Sequence, residues 1–508
     1  MDRKYILGID IGTSGCKVVL VDQNGAVCGT SSAPYPLSRP QPGWTEQDPT
    51  DWWDGCVQAL QAVVQLYAPS GEDIVGIGLS GQMHSLVILD DENRVIRPAI
   101  LWNDQRTQQQ CDELTEKVGG LEALLGETNN MMLTGYTGGK LLWLRENEPE
   151  NFQRIRHILL AKDYIRWRLT GSFATDYSDA SGTGLYNVRD HSWSAALLEE
   201  MELTEEVFPT VVSSTQATGI LTVQAAEACG LRSGIPVFGG GGDAVLSLLG
   251  SGLTAPGGVS VTLGTSGVVA MPLEKCIDNL EGKLQVFCGA SKDRWAAIGC
   301  TLSAAGSYHW FCNVFGTYEK HMETITGLDA YQELDREASE VPAGSGSLLY
   351  YPYLVGERCP IFRSDVRAAF LGADATMGKG YFARAVMEGV AFSLRQVYEL
   401  MRTSGTPPAK EVVLCGGGAK SHLWRQIFAD VFDMKVRISA GAAEGSAYGA
   451  ALLAGVGAGL WESIEQAAET GTCIEEIQPC EEHREVYQKK YAQYCNSAAC
   501  TVIKGMED

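Results

Sequence analysis

Two stretches of this chain share one pattern of apolar and polar positions. "YILGIDIGTSGCKVVLVD" runs from Tyr5 to Asp22, and "VSVTLGTSGVVAMPL" from Val259 to Leu273. In both, an apolar run rich in β-branched residues enters Gly-Thr-Ser-Gly and a second such run leaves it. That pattern predicts a strand, a tight turn and a returning strand. After the first copy, "QNG" marks a turn into a third strand. A helix is predicted from about Pro49 to Tyr67, with Asp48 as its cap and Pro49 at the first helical position. "DIVGIGLSGQ" reads as the next strand and "HSLVILDDENRVIRPAI" as a hairpin. From about Asp104 to Lys162 the pattern is largely helical, with Gly and Pro interruptions.

Near Ile235, "IPVFGGGGDAVLSLLGSG" reads as a buried strand, a glycine loop and a small-residue helix. "GSGLTAPGG" (Gly250 to Gly258) has the Gly, Ala and Pro of a hinge between two halves. Strands then restart with the second Gly-Thr-Ser-Gly copy, "QVFCGA" and "RWAAIGC". In "YFARAVMEGVAFSLRQVYELM" the residues Phe382, Val386, Val390, Leu394, Val397 and Met401 fall on one stripe at a period near 3.6, the mark of a core helix. "EVVLCGGGAKS" is a strand and glycine loop leading into the helix "HLWRQIFADVF". The last fifty or so residues, with "EEHREVYQKKYAQY", read as charged, solvent-facing structural helix. The expected architecture is α/β, a duplicated pair of sheet domains with a cleft between them, residues 1–249 and 250–508.

Composition narrows the function. Of 508 residues, 39 are basic and 62 acidic, a net charge of -23, which argues against a nucleic-acid or anionic-membrane surface. The fifteen cysteines include no C-x-x-C pair and sit in apolar runs, as buried free thiols of a reducing compartment do. No apolar run approaches the roughly 20 residues of a membrane span and no signal peptide is visible, so the expected location is cytoplasmic.

The glycine turns carry the candidate chemistry. Phosphate recognition needs inward-pointing backbone N–H groups, which glycine turns allow, and hydroxyls add donors. Neither a Walker loop nor a dinucleotide fingerprint occurs. A single Gly-Thr-Ser-Gly is also an ordinary hairpin turn, but two copies at matching places suit two jaws around an ATP triphosphate. Asp10, just before the first turn, is placed to hold Mg²⁺ directly or through water, and its counterpart in the second copy is Thr262. Lys17 reads equally as a phosphate partner or a solvated strand lysine. Asp243, after four glycines, fits a group that orients and deprotonates a substrate hydroxyl, and also an N-cap. Gly417, Gly418 and Ala419 read as a bed for a nucleotide base and ribose or as a plain strand–helix turn.

The order DxGTSG, QMH, glycine-rich Asp, GTSG, GGGA resembles the FGGY family of carbohydrate kinases, in the actin, Hsp70 and hexokinase superfamily, over essentially the whole chain. "GYTGGKLLWLREN" with Lys140 and Trp143, and "MEGVAFSLRQVYE", match that family's mid-chain and C-terminal patterns. Within it the chain is most similar to the xylulokinases, through "SGQMHSLVILDDENRVIRPAILWNDQRT", "PGWTEQDPTDWW" and "YPYLVGERCP".

The resemblance implies duplicated actin-like, ribonuclease H-like ATPase domains and ATP-dependent phosphorylation of a ketopentose, D-xylulose to D-xylulose 5-phosphate first among the choices, with ATP and Mg²⁺ as cofactors. It implies Met83 and His84 as sugar contacts, Trp102, Asn103, Asp104 and Arg106 in or beside the sugar pocket, and Asp243 as general base. Asp10 and Asp243 would serve the metal. Gly12, Thr13, Ser14, Gly15 and Lys17 would serve ATP from the first domain, and Gly264, Thr265, Ser266, Gly417, Gly418 and Ala419 from the second. Ala244 departs from the Asn or Gln that xylulokinases usually carry after the catalytic Asp, which bears on which sugar is taken. Ribulose, gluconate or a related hexonate are the alternative substrates, and a non-catalytic ATP-binding switch is the alternative class. Sugar and ATP are the expected partners, with no nucleic acid or membrane. A homodimer is allowed rather than required.

Overall fold

The computed structural model describes residues 3–67, 73–279, 281–471 and 473–497. The chain forms two compact units. The first holds residues 1–255, 272–296 and 440–472, and the second 256–271, 297–439 and 473–508. The first crossing falls inside the glycine-rich stretch expected to be a hinge. The two later segments were expected to belong to a second domain spanning 250–508, and they pack with the first unit instead. A small-residue helix shows its partner only through the surface it covers, which periodicity does not reveal.

The sheet of the first unit runs Ala217–Ile220, Pro236–Phe238, Ile74–Gly81, Tyr5–Ile11, Gly15–Asp22, Val27–Pro34, with Gly241–Gly242 also paired to Ile74–Gly81. Tyr5–Ile11 is antiparallel to Gly15–Asp22 and parallel to Ile74–Gly81. Alternation along the first strand decides both faces. Leu7, Ile9 and Ile11 pack with Trp52, Leu60 and Val63 of helix Pro49–Tyr67 and with Tyr164 and Ile165 of helix Ala161–Thr170. Ile6 faces the other way, toward Leu246 and Leu249 of helix Asp243–Gly250 and Ala447, Ala450 and Ala451 of helix Ala440–Gly457. The interruption of the apolar run at Gly8 has a packing reason. A Cβ there would lie 2.0 Å from the Ala447 carbonyl oxygen, and one at Gly78 would lie 1.9 Å from that of Ala450. The Ala- and Gly-rich helix therefore rests directly on the sheet backbone.

The second unit repeats the strand–turn–strand start. Gly258–Leu263 is antiparallel to Gly267–Leu273 and parallel to Glu411–Cys415, which is parallel to Lys435–Ser439, and Cys473–Ile477 closes that edge antiparallel. Helix Lys379–Thr403 buries Val386, Val390, Leu394, Val397 and Met401 of its predicted stripe, with Phe382 half-buried, and also buries Arg384 and Glu388. The C-terminal helix is charged and largely exposed, as expected, and docks along one narrow face. Helix Glu481–Ser497 buries Tyr487, Lys490 and Tyr494, and Tyr487 donates to Glu388 at 2.8 Å while accepting from Arg384 at 3.0 Å. Tyr487 and Tyr494, seven residues apart, share the buried face of a helix whose remaining surface is charged.

No disulfide forms among the described residues. No helix among them is long and apolar enough to cross a membrane.

Candidate active site

Strand register alone brings the two candidate carboxylates together. Asp10 pairs with Ser80, and Ser80 with Gly241, on three parallel strands. Two residues past Gly241, Asp243 opens helix Asp243–Gly250. Both acids thus lie at the carboxyl ends of parallel strands, where open α/β sheets place their ligands.

Burial raises the Asp10 carboxyl above its ordinary range, against the pull of the Ser80 and Ser446 hydroxyls and the charge of Lys17. Its Oδ1 is buried without a hydrogen-bond partner. Burial, then the nearby Asp10 charge, push Asp243 up to about 7, opposed by the backbone N–H groups of Ala244 and Met83. The Ala244 N–H donates to Asp243 Oδ1 at 2.7 Å. The N-cap expected at Asp243 falls one residue earlier, at Gly242. Gly242 in turn donates its N–H to Ser178 Oγ at 2.9 Å, and Ser178 is held by Asp176. Beneath them, buried Lys162 pairs with Asp163, Asp176 and Asp179 at 2.7, 2.9 and 2.8 Å.

An unpartnered buried carboxylate oxygen beside a second carboxylate is a donor set for a hard divalent cation. Among the described residues no group of three or more His, Cys, Asp or Glu side chains could hold a metal. A cation at Asp10 would therefore complete its shell with phosphate oxygens and water.

The turn after Asp10 is braced from several sides. Gly12 N–H bonds the Gly15 carbonyl at 3.2 Å, Tyr35 donates its hydroxyl to the Gly12 carbonyl, and Gln47 donates to the Thr13 carbonyl at 2.8 Å. Thr13 Oγ1 accepts from Trp102 Nε1 at 2.8 Å, and Ser14 is exposed. Lys17 is partly exposed and ion-paired. Its Nζ lies 2.6 Å from Glu444 and 3.3 Å from the Ala443 carbonyl.

Met83 and His84 follow the strand carrying Ser80. Met83 is buried, and a Cβ on Gly242 would meet its Cγ at 2.6 Å, so the glycine before Asp243 is what lets Met83 approach. His84 has φ 68°, a left-handed backbone that is uncommon outside glycine. Its Nδ1 hydrogen bonds the Gly182 carbonyl. A carbonyl only accepts, so Nδ1 carries the proton in this bond. The ring packs against Tyr136, 4.6 Å between centroids, and Phe287, 5.8 Å.

Trp102, Asn103, Asp104 and Arg106 divide into two roles. Trp102 is 44% exposed beside Thr13, and Asn103 Oδ1 accepts from Thr45 Oγ1 at 2.8 Å. Asp104 is fully buried and already occupied. It takes Arg106 Nε at 2.9 Å and Nη2 at 2.7 Å, and the N–H groups of Thr45 and Arg106 at 2.6 and 2.9 Å. Arg106 also reaches Glu46 at 2.8 Å and stacks 3.7 Å over the Trp44 ring. A carboxylate with all four acceptor positions used supports the Trp102 loop from behind.

In the second unit, the Gly264 N–H bonds the Ser266 carbonyl at 3.1 Å, and Thr265 and Ser266 are exposed. The Thr265 carbonyl accepts from Ala304 and Gly306, at 2.9 and 3.1 Å, where helix Ala305–Phe315 begins. Gly417, Gly418 and Ala419 form the 3₁₀ turn Gly417–Lys420 after strand Glu411–Cys415. A Cβ on Gly416 or Gly418 would strike Leu263, at 2.6 Å from its oxygen and 2.9 Å from its Cβ. This loop therefore lies against the hairpin of its own unit.

Sequence reasoning gave no role to Tyr35, Gln47, Ser178 or Lys140, nor to Gln82, whose Nε2 donates to Gln47 Oε1 at 3.2 Å and whose Oε1 accepts from Thr13 Oγ1 at 3.4 Å. Gln82, Gln47 and Lys140 stand inside motifs that were recognised as wholes. Ser178 carries no local signal, because its partner, Gly242, is distant in sequence.

Residues 5–250 match the N-terminal domain, and residues 259–458 the C-terminal domain, described for the FGGY family of carbohydrate kinases. The chain is 40% identical over 466 residues to a xylulose kinase of Bacillus subtilis, covering 92% of this chain and 91% of that one. Among solved structures, it is similar to a xyloylose kinase from Brucella ovis, with TM-score 0.90, 33% identity and 100% of each chain covered. It is also similar to ligand-bound xylulose kinase from Lactobacillus acidophilus, with TM-score 0.89, 26% identity, and 99% and 100% covered.

Proposed function

Because the chain belongs to the FGGY family of carbohydrate kinases, we propose that it transfers the γ-phosphoryl group of ATP to D-xylulose, giving D-xylulose 5-phosphate and ADP. The observation that carries this reading is Asp243. It is a carboxyl poised near neutrality at a helix start, beside Met83 and within reach of the Asp10 charge. Such a group can take a proton at working pH and is not yet committed to an ion pair. The names of the relatives at 40% and 33% identity support xylulose as the sugar.

In the reaction, the terminal hydroxyl oxygen of the ketose forms the new bond to the γ-phosphorus as the bond to ADP breaks, and Asp243 takes the hydroxyl proton. Met83, the His84 imidazole, Trp102 and Asn103 would hold the sugar, with the apolar face of Trp102 as a wall and Asn103 reading hydroxyls. Backbone N–H groups of Thr13 to Gly15 in the first unit, and of Thr265 and Ser266 in the second, would serve phosphate oxygens. Gly417 to Ala419 would lie under the nucleotide. Asp10, with the Asp243 charge nearby, would hold Mg²⁺, which when bound neutralises phosphate charge.

A coupled ADP-release assay over xylulose, ribulose, gluconate and glycerol tests the substrate. A kcat/KM for xylulose at least tenfold above the others is expected. Equal or better turnover of a sugar acid would overturn the ketopentose assignment and leave the kinase intact.

A further inference from the structure

Lys140 is fully buried and, among the described residues, forms no ion pair. Burial pulls its ammonium down to about 7, with Asp104 and Cys111 raising it and Arg106 lowering it further. A cation in such a place needs a reason, because an apolar residue of the same length would be cheaper to bury. Its partners supply one. Nζ donates to the Gly135 carbonyl at 2.6 Å and to the His84 carbonyl at 2.9 Å. Thr137 Oγ1 donates to the same His84 carbonyl at 3.1 Å. Both lone pairs of one carbonyl are thus taken by two buried side chains from the first turn of helix Thr137–Asn147. A neutral amine still has two hydrogens, so both carbonyls stay served whether or not Lys140 is charged.

The carbonyl so held belongs to the residue with the unfavourable backbone. His84 sits at φ 68°, and strain of that kind persists only where the surroundings over-determine it. The ring is fixed separately. Nδ1 meets the Gly182 carbonyl, and a Cβ on Gly182 would lie 3.0 Å from that nitrogen and 2.9 Å from Met83 Cε. One face of the ring lies against Tyr136, the residue before Thr137. Helix Thr137–Asn147 therefore grips His84 by its main chain and its ring at once.

We propose that Lys140 and Thr137 are positioning residues for the sugar, holding the left-handed His84 backbone so that the imidazole keeps one place in the sugar site. This rests on the reading that His84 contacts the sugar. It gives the mid-chain motif a purpose in substrate binding that packing alone would not.

Lys140→Met and Thr137→Val, each compared with wild type and His84→Ala, test it, using whichever sugar the wild-type enzyme turns over fastest. Both variants are expected to raise the sugar KM about tenfold or more, while the ATP KM stays within about twofold, since displacements of an ångström in a positioning group cost up to about 10²-fold. A merely structural role would reduce the active fraction, and with it kcat, leaving the sugar KM where it was. That result overturns the proposal. If Lys140→Met loses its cooperative thermal transition, Thr137→Val decides alone. If His84→Ala leaves the sugar KM unchanged, both the His84 reading and this inference fall. If His84→Ala raises it and neither positioning variant does, only the inference falls.

Discussion

The two Gly-Thr-Ser-Gly hairpins differ in register as well as in neighbours. In the first, Ile11 pairs with Cys16 across a four-residue turn, 12–15, and Asp10 stands opposite Lys17. In the second, Leu263 pairs with Gly267 across a three-residue turn, 264–266, and Thr262 stands opposite Val268. One residue of register exchanges the faces of everything that follows. The first turn is gripped by side chains, from Tyr35, Gln47 and Trp102. The second is gripped through its own carbonyls by the start of helix Ala305–Phe315. The repeated four letters therefore specify a turn, and the residues that touch it give each copy its own surroundings.

The largest effect should come from Asp243, which the strand register of the first unit brings beside Asp10. Asp243→Asn is expected to lower kcat by about 10²–10⁴-fold while the ATP KM changes little. In the wild-type enzyme, kcat/KM for the sugar should rise as pH increases through about 7, where Asp243 loses its proton. The stability sign runs the other way. The folded carboxyl keeps its proton up to about 7, against 3.8 when unperturbed, so ionising it costs folded-state stability above that range and nothing below 3.8. Asp243→Asn should thus melt a few degrees above wild type at pH 8 and lose that advantage as pH falls toward 4. Equal melting temperatures at pH 8 would mean the site relieves the charge in another way.

Asp10→Thr copies the second hairpin into the first. It is expected to lower kcat about 100-fold, the scale of losing one well-placed electrostatic group. Thr262→Asp added to it should not restore the rate, because Thr262 lacks a partner equivalent to Asp243. Recovery in the double variant, measured by ADP release, would show that the acid works from either hairpin.

Both hairpins, the helix at Pro49 and the long helix at Lys379 were legible in the sequence, because period and turn chemistry act locally. The pairing of Asp10 with Asp243 was legible as chemistry, while its cause, the Asp10–Ser80–Gly241 register, is a property of three distant strands. Gly8 and Gly78 gave no hint of the helix Ala440–Gly457 that rests on them, and that helix looked like part of the other half. Asp104 and Arg106 share a motif with Trp102. Only their mutual bonds show that they stand behind the site and leave the exposed surface to Trp102 and Asn103.

A smaller contrast separates the two turn threonines. Trp102 Nε1 bonds Thr13 Oγ1, so Thr13→Val should loosen the Trp102 wall and raise the sugar KM about 3–10-fold, the net value of one neutral hydrogen bond. Thr265 is held through its carbonyl, which valine keeps, so Thr265→Val should leave the sugar KM within about twofold. Matching shifts in the two variants would erase the difference in surroundings on which the comparison rests.

The smallest effect is expected at Lys17, the only charged residue that either hairpin places directly opposite its pre-turn position. Its Nζ is engaged by Glu444 and the Ala443 carbonyl, and both charged side chains are partly exposed, at 31% and 22%. A partly exposed pair contributes at most about 1 kcal/mol, and serving phosphate would require Lys17 to leave a partner 2.6 Å away. Lys17→Met is therefore expected to change the ATP KM by less than about threefold, and Glu444→Gln by no more. A tenfold rise in ATP KM for Lys17→Met, with Glu444→Gln unchanged or tighter, would mean that the lysine exchanges the carboxylate for phosphate during turnover. The first hairpin would then bring a cation as well as an acid to the triphosphate, and its difference from the second would be larger than the Asp10/Thr262 exchange alone.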